Sequence, residues 1–107
     1  MKGYWGRILS IDLSDSTITE ITPDEKLYRD YLGGSGIGAR LLFDITGPDT
    51  DPLGPDNPII WMTGPFTGTK VPTSGRHQIT SRSPLTGIFG ESDAGGRFGT
   101  TDRKSVV

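Results

Sequence analysis

The chain has 107 residues, of which 32% are hydrophobic. Because it is this short, it forms at most one small domain or a part of a larger protein. It contains no cysteine, which excludes disulfides, thiolate metal sites and an iron–sulfur cluster ligated by this chain. The net charge of −2 divides unevenly: residues 1–58 carry five Lys/Arg against ten Asp/Glu, and residues 59–107 carry six against three.

The basic second half suits a small anion better than a nucleic-acid duplex. The sequence has no Lys/Arg run and no interleaving of basic and aromatic residues, so we expect no nucleic-acid partner. Its apolar runs are too short for a signal peptide or a membrane span, and we expect a cytoplasmic protein with no membrane partner.

The first element predicted along the chain is a β-hairpin. Leu9, Ile11 and Leu13 alternate with polar residues, which is the pattern of a half-buried strand. A turn sequence, SDS, follows, and residues 17–22 (TITEIT) have a high β propensity.

Two short helices are predicted next. Thr22, with Pro23 and Glu25 after it, matches a capping box, and the helix is expected to run to about Leu32. The glycines of residues 33–38 end it, and IGARLLFDI predicts the second helix.

The second half of the chain predicts strands separated by turns. Residues 47–58 form a long turn cluster, and residues 59–62 (IIWM) read as a short, fully buried strand. Further strands are predicted at residues 76–82 and 87–91. The predicted class is α+β, a β-rich mixed or antiparallel sheet with two short helices.

Two glycine-rich segments invite a phosphate-binding interpretation. GGSGIGA (33–39) has the spacing of a dinucleotide fingerprint, but it follows a helix rather than a strand, which favours a helix cap with a close backbone approach. TGPFTGT (63–69) lacks the lysine of a phosphate loop; it is either a structural turn or a nest of backbone N–H groups for an anion.

Few side chains suggest catalysis, and we assign no catalytic residue and no metal ligand. The single histidine, His77, has no partner nearby in the sequence and is expected on the surface or in packing. Glu91 and Asp93 share one face of a predicted strand end, but no second signal supports them as an acid–base pair.

Arg76 differs from these candidates because a guanidinium is a permanently charged fork that matches phosphate or carboxylate groups. Ser74 and Gly75 precede it and allow the backbone to approach a ligand closely. Residues 93–99 (DAGGRFG) add a second glycine turn, and we expect the two turns to converge on one pocket.

Five blocks of the sequence carry a family resemblance, in this order: GYWGRILSIDLS, YLGGSGIGARLL, DPLGPDNPIIWMTGPFTGT, PTSGRHQITSRSPLTG and AGGRFG. Over residues 3 to about 99 the chain resembles the N-terminal part of the aldehyde ferredoxin oxidoreductase family, enzymes with a tungsten (or molybdenum) bis-molybdopterin cofactor. The resemblance implies a β-rich base, about half of an internally duplicated domain, on which the pterin lies. We therefore divide the chain into residues 1–99, similar to that domain, and a divergent tail of residues 100–107.

The resemblance also implies a function and a set of binding residues. The family oxidises aldehydes to carboxylic acids and passes the electrons through a 4Fe-4S cluster to ferredoxin. The arginine between pterin and cluster matches Arg76, and the pterin-contacting block matches Asp93, Ala94, Gly95 and Gly96. The first position of this block is typically asparagine in the family, so Asp93, which only accepts hydrogen bonds when ionised, is a departure.

The second departure is length, because family members carry their cluster cysteines and acid–base groups in later domains. We therefore expect no aldehyde oxidation by this chain in isolation. Two alternatives stay open: a stand-alone protein that binds a small anion or another subunit, and a homodimer that imitates the duplicated parent domain.

Overall fold

The computed structural model of the protein describes residues 3–105, and within them five strands and three helices follow one another. The strands form two antiparallel sheets, one of two strands and one of three, which confirms the predicted α+β class. None of the described helices is long and apolar enough to cross a membrane. In chain order the elements are β1 (Ile8–Asp12), β2 (Thr17–Ile21), α1 (Glu25–Tyr31), α2 (Gly34–Ile45), β3 (Ile60–Thr63), β4 (His77–Arg82), β5 (Phe89–Ala94) and α3 (Phe98–Ser105).

The predicted hairpin is confirmed, but the predicted burial of one face is wrong, because Leu9, Ile11 and Leu13 are all exposed. Two aspartates fix its turn. Strands β1 and β2 pair along their full length. The Oδ1 atom of Asp12 accepts a hydrogen bond from the Ser14 N–H at 2.9 Å, and Asp15 Oδ1 accepts one from the Thr17 N–H at 3.0 Å. Because these bonds join residues two apart, the reversal of the chain is encoded locally.

The first helix is confirmed, but its cap is not the predicted one. The N-cap is Asp24, whose Oδ1 atom accepts a hydrogen bond from the Lys26 N–H at 3.2 Å. The capping box predicted from Thr22 is wrong because Asp24 places an ionised acceptor directly at the first turn. The helix ends as predicted near Leu32, which takes a positive φ of 65°.

The second helix starts earlier than the sequence predicted. It begins at Gly34, so most of the glycine run lies in its first turns rather than in a turn between helices. A Cβ atom on Gly38 would lie 2.6 Å from the Oγ1 atom of Thr80 on β4, and one on Gly34 would overlap the side chain of Gln78. The glycines therefore bring the backbone of α2 close to the sheet, and the predicted close approach is confirmed.

The three-stranded sheet has the order β3-β4-β5, so β3 is an edge strand. Ile60 is buried, whereas Trp61 on the other face is 49% exposed. The prediction of a fully buried strand at residues 59–62 is wrong, since α2 covers only one face of this edge. The last strand ends at Ala94 rather than at residue 91, which places Asp93 and Ala94 in the sheet.

The long turn cluster of residues 47–58 is fastened to the end of β4. The amide of Asn57 donates to the carbonyl oxygens of Pro52 (2.8 Å) and Arg82 (3.0 Å). Its Oδ1 atom accepts from the Ser81 hydroxyl and the Arg82 N–H, each at 3.1 Å. The Arg82 guanidinium in turn donates to the carbonyl of Pro48 at 2.9 Å. This network gives a segment without regular structure a fixed path.

The core is small and lies where α1, α2 and β3 meet. Its buried apolar side chains are Tyr28, Ile37, Leu42 and Ile60. A cavity of about 210 Å³ separates the hairpin from β3.

Helix α3, which was not predicted, occupies part of the expected tail of residues 100–107, and the last two of these lie outside the described residues.

Candidate functional site

The loop that carries Arg76 is held by a buried threonine. Thr67, which is 3% exposed, donates its hydroxyl to the carbonyl of Arg76 at 3.3 Å and accepts from the Gly64 N–H at 3.2 Å. The backbone of Arg76 is thereby fixed while its side chain stays exposed. Thr67 belongs to the TGPFTGT segment, so one role of this segment is to support the arginine loop.

A cavity of about 280 Å³ opens beside this loop. Its wall includes residues of two loop segments, 64–67 and 71–74, together with Arg76 and Gln78. Arg76 thus contributes a cationic side chain to a small pocket lined by both polar and apolar groups. Such a pocket suits a phosphate or another compact anion.

The loop before Arg76 and the glycine turn at residues 95–96 lie side by side, although residues 93–96 are not part of the wall of the cavity beside Arg76. The register of β4 and β5 pairs His77 with Ala94, so the next residues outward are Arg76 and Gly95. A Cβ atom on Gly75 would be 3.2 Å from the carbonyl oxygen of Gly96. The backbone before Arg76 therefore packs directly on the glycine turn.

The glycine turn itself is open on its outer side. A Cβ atom on Gly95 or on Gly96 would meet no atom within 4 Å, and Gly96 has a φ of +95°, which favours glycine. The absence of side chains here leaves room for a ligand to approach the backbone of the turn. Of the predicted binding residues, Asp93, Gly95 and Gly96 are exposed and Ala94 is half-buried.

The acidic residues of β5, Glu91 and Asp93, bring negative charge to the strand next to β4. Glu91 and Asp93 lie two residues apart on β5, so their side chains project from the same face of the sheet, and both are exposed. Desolvation raises the pKa of Glu91 and the neighbouring Asp93 raises it further, whereas Ser35 lowers it. The sequence placed the two carboxyls on one face, and their spacing on β5 agrees with this.

His77 lies away from this pocket, in an aromatic cluster. It is 6% exposed, and its ring centroid lies 4.9 Å from that of Phe98 and 6.5 Å from that of Trp61. Its Nδ1 atom has no hydrogen-bond partner among the residues that the structure describes. The packing role expected for this histidine is what the structure shows.

Comparison with known proteins gives the family. Residues 8–105 match the family model described as "Aldehyde ferredoxin oxidoreductase, N-terminal domain". The chain belongs to this family, as the resemblance predicted.

Individual relatives agree. The chain is 46% identical over 99 residues to the tungsten-containing aldehyde ferredoxin oxidoreductase of Pyrococcus horikoshii and 41% identical to that of Pyrococcus furiosus. Each alignment covers 92% of this chain and 16% of the relative, so the chain spans about one sixth of the length of these curated relatives.

A solved structure has the same fold over the same range. It is a chain of the active-site complex BamBC of benzoyl-coenzyme A reductase, determined with 1,5-dienoyl-CoA. The TM-score is 0.90 at 29% identity, and the match covers 92% of this chain and 15% of that chain.

Proposed function

We propose that this chain is the cofactor-binding N-terminal module of an aldehyde:ferredoxin oxidoreductase that uses a tungsten (or molybdenum) bis-molybdopterin. The observation that carries the proposal is the contact between the Arg76 loop and the open turn at Gly95 and Gly96. The family membership and the tungsten-containing relatives support it.

In this proposal each part of the pocket has a defined task. Arg76 pairs with an anionic edge of the cofactor, and the N–H groups at Gly95 and Gly96 donate to it at close range. Asp93 accepts from a pterin N–H group, and Ala94 adds backbone contacts. When bound, the metal–pterin group supplies the two-electron chemistry that converts an aldehyde to a carboxylic acid.

In this proposal, electron transfer depends on groups that this chain does not contain. A 4Fe-4S cluster passes the electrons to ferredoxin, and its ligands belong to the later domains, because this chain has no cysteine. We therefore expect the isolated chain to be inactive with aldehyde and a viologen dye.

Cofactor retention tests the proposal directly. The chain is purified from cells that make molybdopterin and are supplied with tungstate, and its tungsten and oxidised pterin are quantified. We expect Arg76→Gln to lower retention roughly tenfold to a hundredfold, since charge-assisted hydrogen bonds contribute about 1.5–3 kcal/mol. Arg29→Gln on helix α1 is the matched control and should change nothing. Equal retention by both variants would refute the assigned role of Arg76.

A chimera tests the activity of the whole protein. Residues 1–99 replace the matching segment of the Pyrococcus furiosus relative, and aldehyde-dependent reduction of viologen is measured. We expect activity in the chimera and a loss of activity when it also carries Arg76→Gln. A folded chimera that retains full activity with this substitution would contradict the proposal.

A second candidate function is subunit interaction, favoured by the exposed apolar surface. Four apolar side chains of the described part are buried, whereas many large ones are exposed, among them Ile11, Ile18, Phe43 and Leu85. A homodimer or a partner subunit would cover such a surface. Sedimentation that shows a monomer at high concentration would exclude the homodimer.

A further inference from the structure

The further inference concerns the cavity of about 210 Å³ between the N-terminal hairpin and β3, which the proposed function does not use. Among the described residues, its wall shares only Gly64 with the wall of the cavity beside Arg76. The two cavities are therefore separate. The described wall consists of residues 3–9, Ile11, Tyr28, Ile37 and residues 61–64.

Aromatic rings contribute much of this wall. Trp5 and Trp61, the two tryptophans of the chain, both line the cavity, and they are 50% and 49% exposed. The rings of Tyr4 and Tyr28, which also line it, pack against each other with 4.7 Å between their centroids and 43° between their planes. Aromatic side chains bind planar, apolar groups through stacked and edge-to-face contacts. The wall therefore favours a ligand with a flat, apolar ring.

One polar group of the wall lacks a partner. Tyr28 is 7% exposed, and its hydroxyl is buried without a hydrogen-bond partner among the described residues. The neighbouring Tyr4 differs, because its hydroxyl donates to the carbonyl of Leu32 at 2.5 Å. Buried polar groups are nearly always hydrogen-bonded, since an unmade bond leaves the desolvation of the group uncompensated. The Tyr28 hydroxyl is thus a donor for an acceptor atom of a molecule in the cavity.

Size and charge narrow the choice of ligand. An apolar protein cavity of about 150 Å³ holds benzene, so this larger cavity suits one aromatic ring with a small substituent. Arg7 is the only charged side chain among the described residues of the wall, and it forms an ion pair with Glu20 at 3.5 Å. An anionic ligand would compete with Glu20, whereas a neutral ligand leaves this pair intact.

We propose that this cavity binds a neutral molecule with a single aromatic ring and one hydrogen-bond acceptor, and that the Tyr28 hydroxyl donates to the acceptor. The ring lies against Trp5 and Trp61. The site goes beyond the proposed function and does not depend on it, so the cofactor-retention experiment and the experiment below can fail separately.

Two ligands of nearly the same shape isolate the contribution of the hydroxyl. Acetophenone has a carbonyl oxygen where α-methylstyrene has a CH₂ group. Each is titrated into the ¹⁵N-labelled chain, and the indole N–H signals of Trp5 and Trp61 are followed by NMR. We expect acetophenone to shift both signals, because both side chains line the cavity.

The decisive variant is Tyr28→Phe, which removes the hydroxyl and keeps the ring. We expect it to lower the affinity for acetophenone about threefold to tenfold, the factor that a neutral hydrogen bond contributes. The affinity for α-methylstyrene should not change, so the comparison of both ligands in both proteins cancels their difference in hydrophobicity. Tyr31→Phe, on the same helix but outside the described wall, is the matched control and should alter neither affinity.

A stability measurement checks that the hydroxyl is unpartnered in the ligand-free chain. In urea denaturation, Tyr28→Phe should be at least as stable as the wild type, because no hydrogen bond is lost. A destabilised Tyr28→Phe chain would show that the hydroxyl already has a partner, and this would overturn the proposal.

Three results of the titration would also overturn it. The first is the absence of a shift in either indole signal up to the solubility limit of acetophenone. The second is a shift of Trp5 alone, which would place the ligand in the neighbouring cavity of about 180 Å³, whose described wall includes Trp5 and Tyr28 but not Trp61. The third is a Tyr28→Phe chain with the same affinity for acetophenone as the wild type, or with equal losses for both ligands.

Discussion

Replacement of Gly38 by alanine tests the closest helix–sheet contact of the fold. Gly38 lies in the middle of α2, and a Cβ atom there would be 2.6 Å from the Oγ1 atom and 3.0 Å from the Cγ2 atom of Thr80. Ordinary contact begins at 3.4 Å, so the hydroxyl has to move by about 0.8 Å. Thr80 is 1% exposed and β-branched, and its side chain cannot rotate away freely.

The expected magnitude is a balance of two effects. Overpacking a buried contact costs about 2–3 kcal/mol, and alanine in place of glycine stabilises a helix interior by about 1 kcal/mol. We therefore expect Gly38→Ala to lower the free energy of unfolding by about 1–2 kcal/mol. Gly47→Ala is the control, since a Cβ atom there would meet nothing within 4 Å, and it should be neutral or slightly stabilising.

Urea denaturation followed by circular dichroism measures both variants. In a double-mutant cycle, Thr80→Ala removes the two atoms that collide with the methyl group added by Gly38→Ala. The double variant should therefore recover about 1 kcal/mol relative to the sum of the single variants. A Gly38→Ala chain as stable as the wild type, or a cycle without coupling, would refute the argument that this glycine is required by the close approach.

Three further predictions follow from single side chains. Thr80→Val should raise the free energy of unfolding by about 1 kcal/mol in urea denaturation, because the buried Thr80 hydroxyl has no hydrogen-bond partner among the described residues; a loss of stability would contradict this. Asn57→Ala should destabilise the fold by about 2–3 kcal/mol, since its four hydrogen bonds fasten the surface turn to β4, whereas Asp56→Asn should be neutral. The pKa of Glu91 is raised above its usual 4.5, so the folded state holds this proton more tightly, and stability should fall as pH rises from about 4.5 through the raised pKa. Glu91→Gln should remove that fall in stability. Unfolding curves with the same pH dependence in both proteins would show that Glu91 does not cause it.

Local features of the sequence were sufficient for most of the elements, although helix α3 was not predicted. The alternation in β1 and the aspartates of its turn act between residues two apart, so the hairpin could be predicted with its bounds nearly correct. The helix ending near Leu32 and the strand at residues 76–82 follow from equally local patterns. For the site, the sequence singled out Arg76 and the glycines of residues 95–96 by the chemistry of their side chains and backbone.

Only the tertiary structure decided how distant segments meet. The glycines of residues 33–39 predicted a close backbone approach but not its partner, Thr80, which lies on a strand some forty positions later. Likewise, Asn57 meets Arg82. Such contacts join residues far apart in sequence, and hydrophobic periodicity and turn chemistry carry no information about them. The sequence indicated the family and the type of most segments, whereas the pairing of β4 with β5 determined that the backbone before the arginine lies beside the glycine turn.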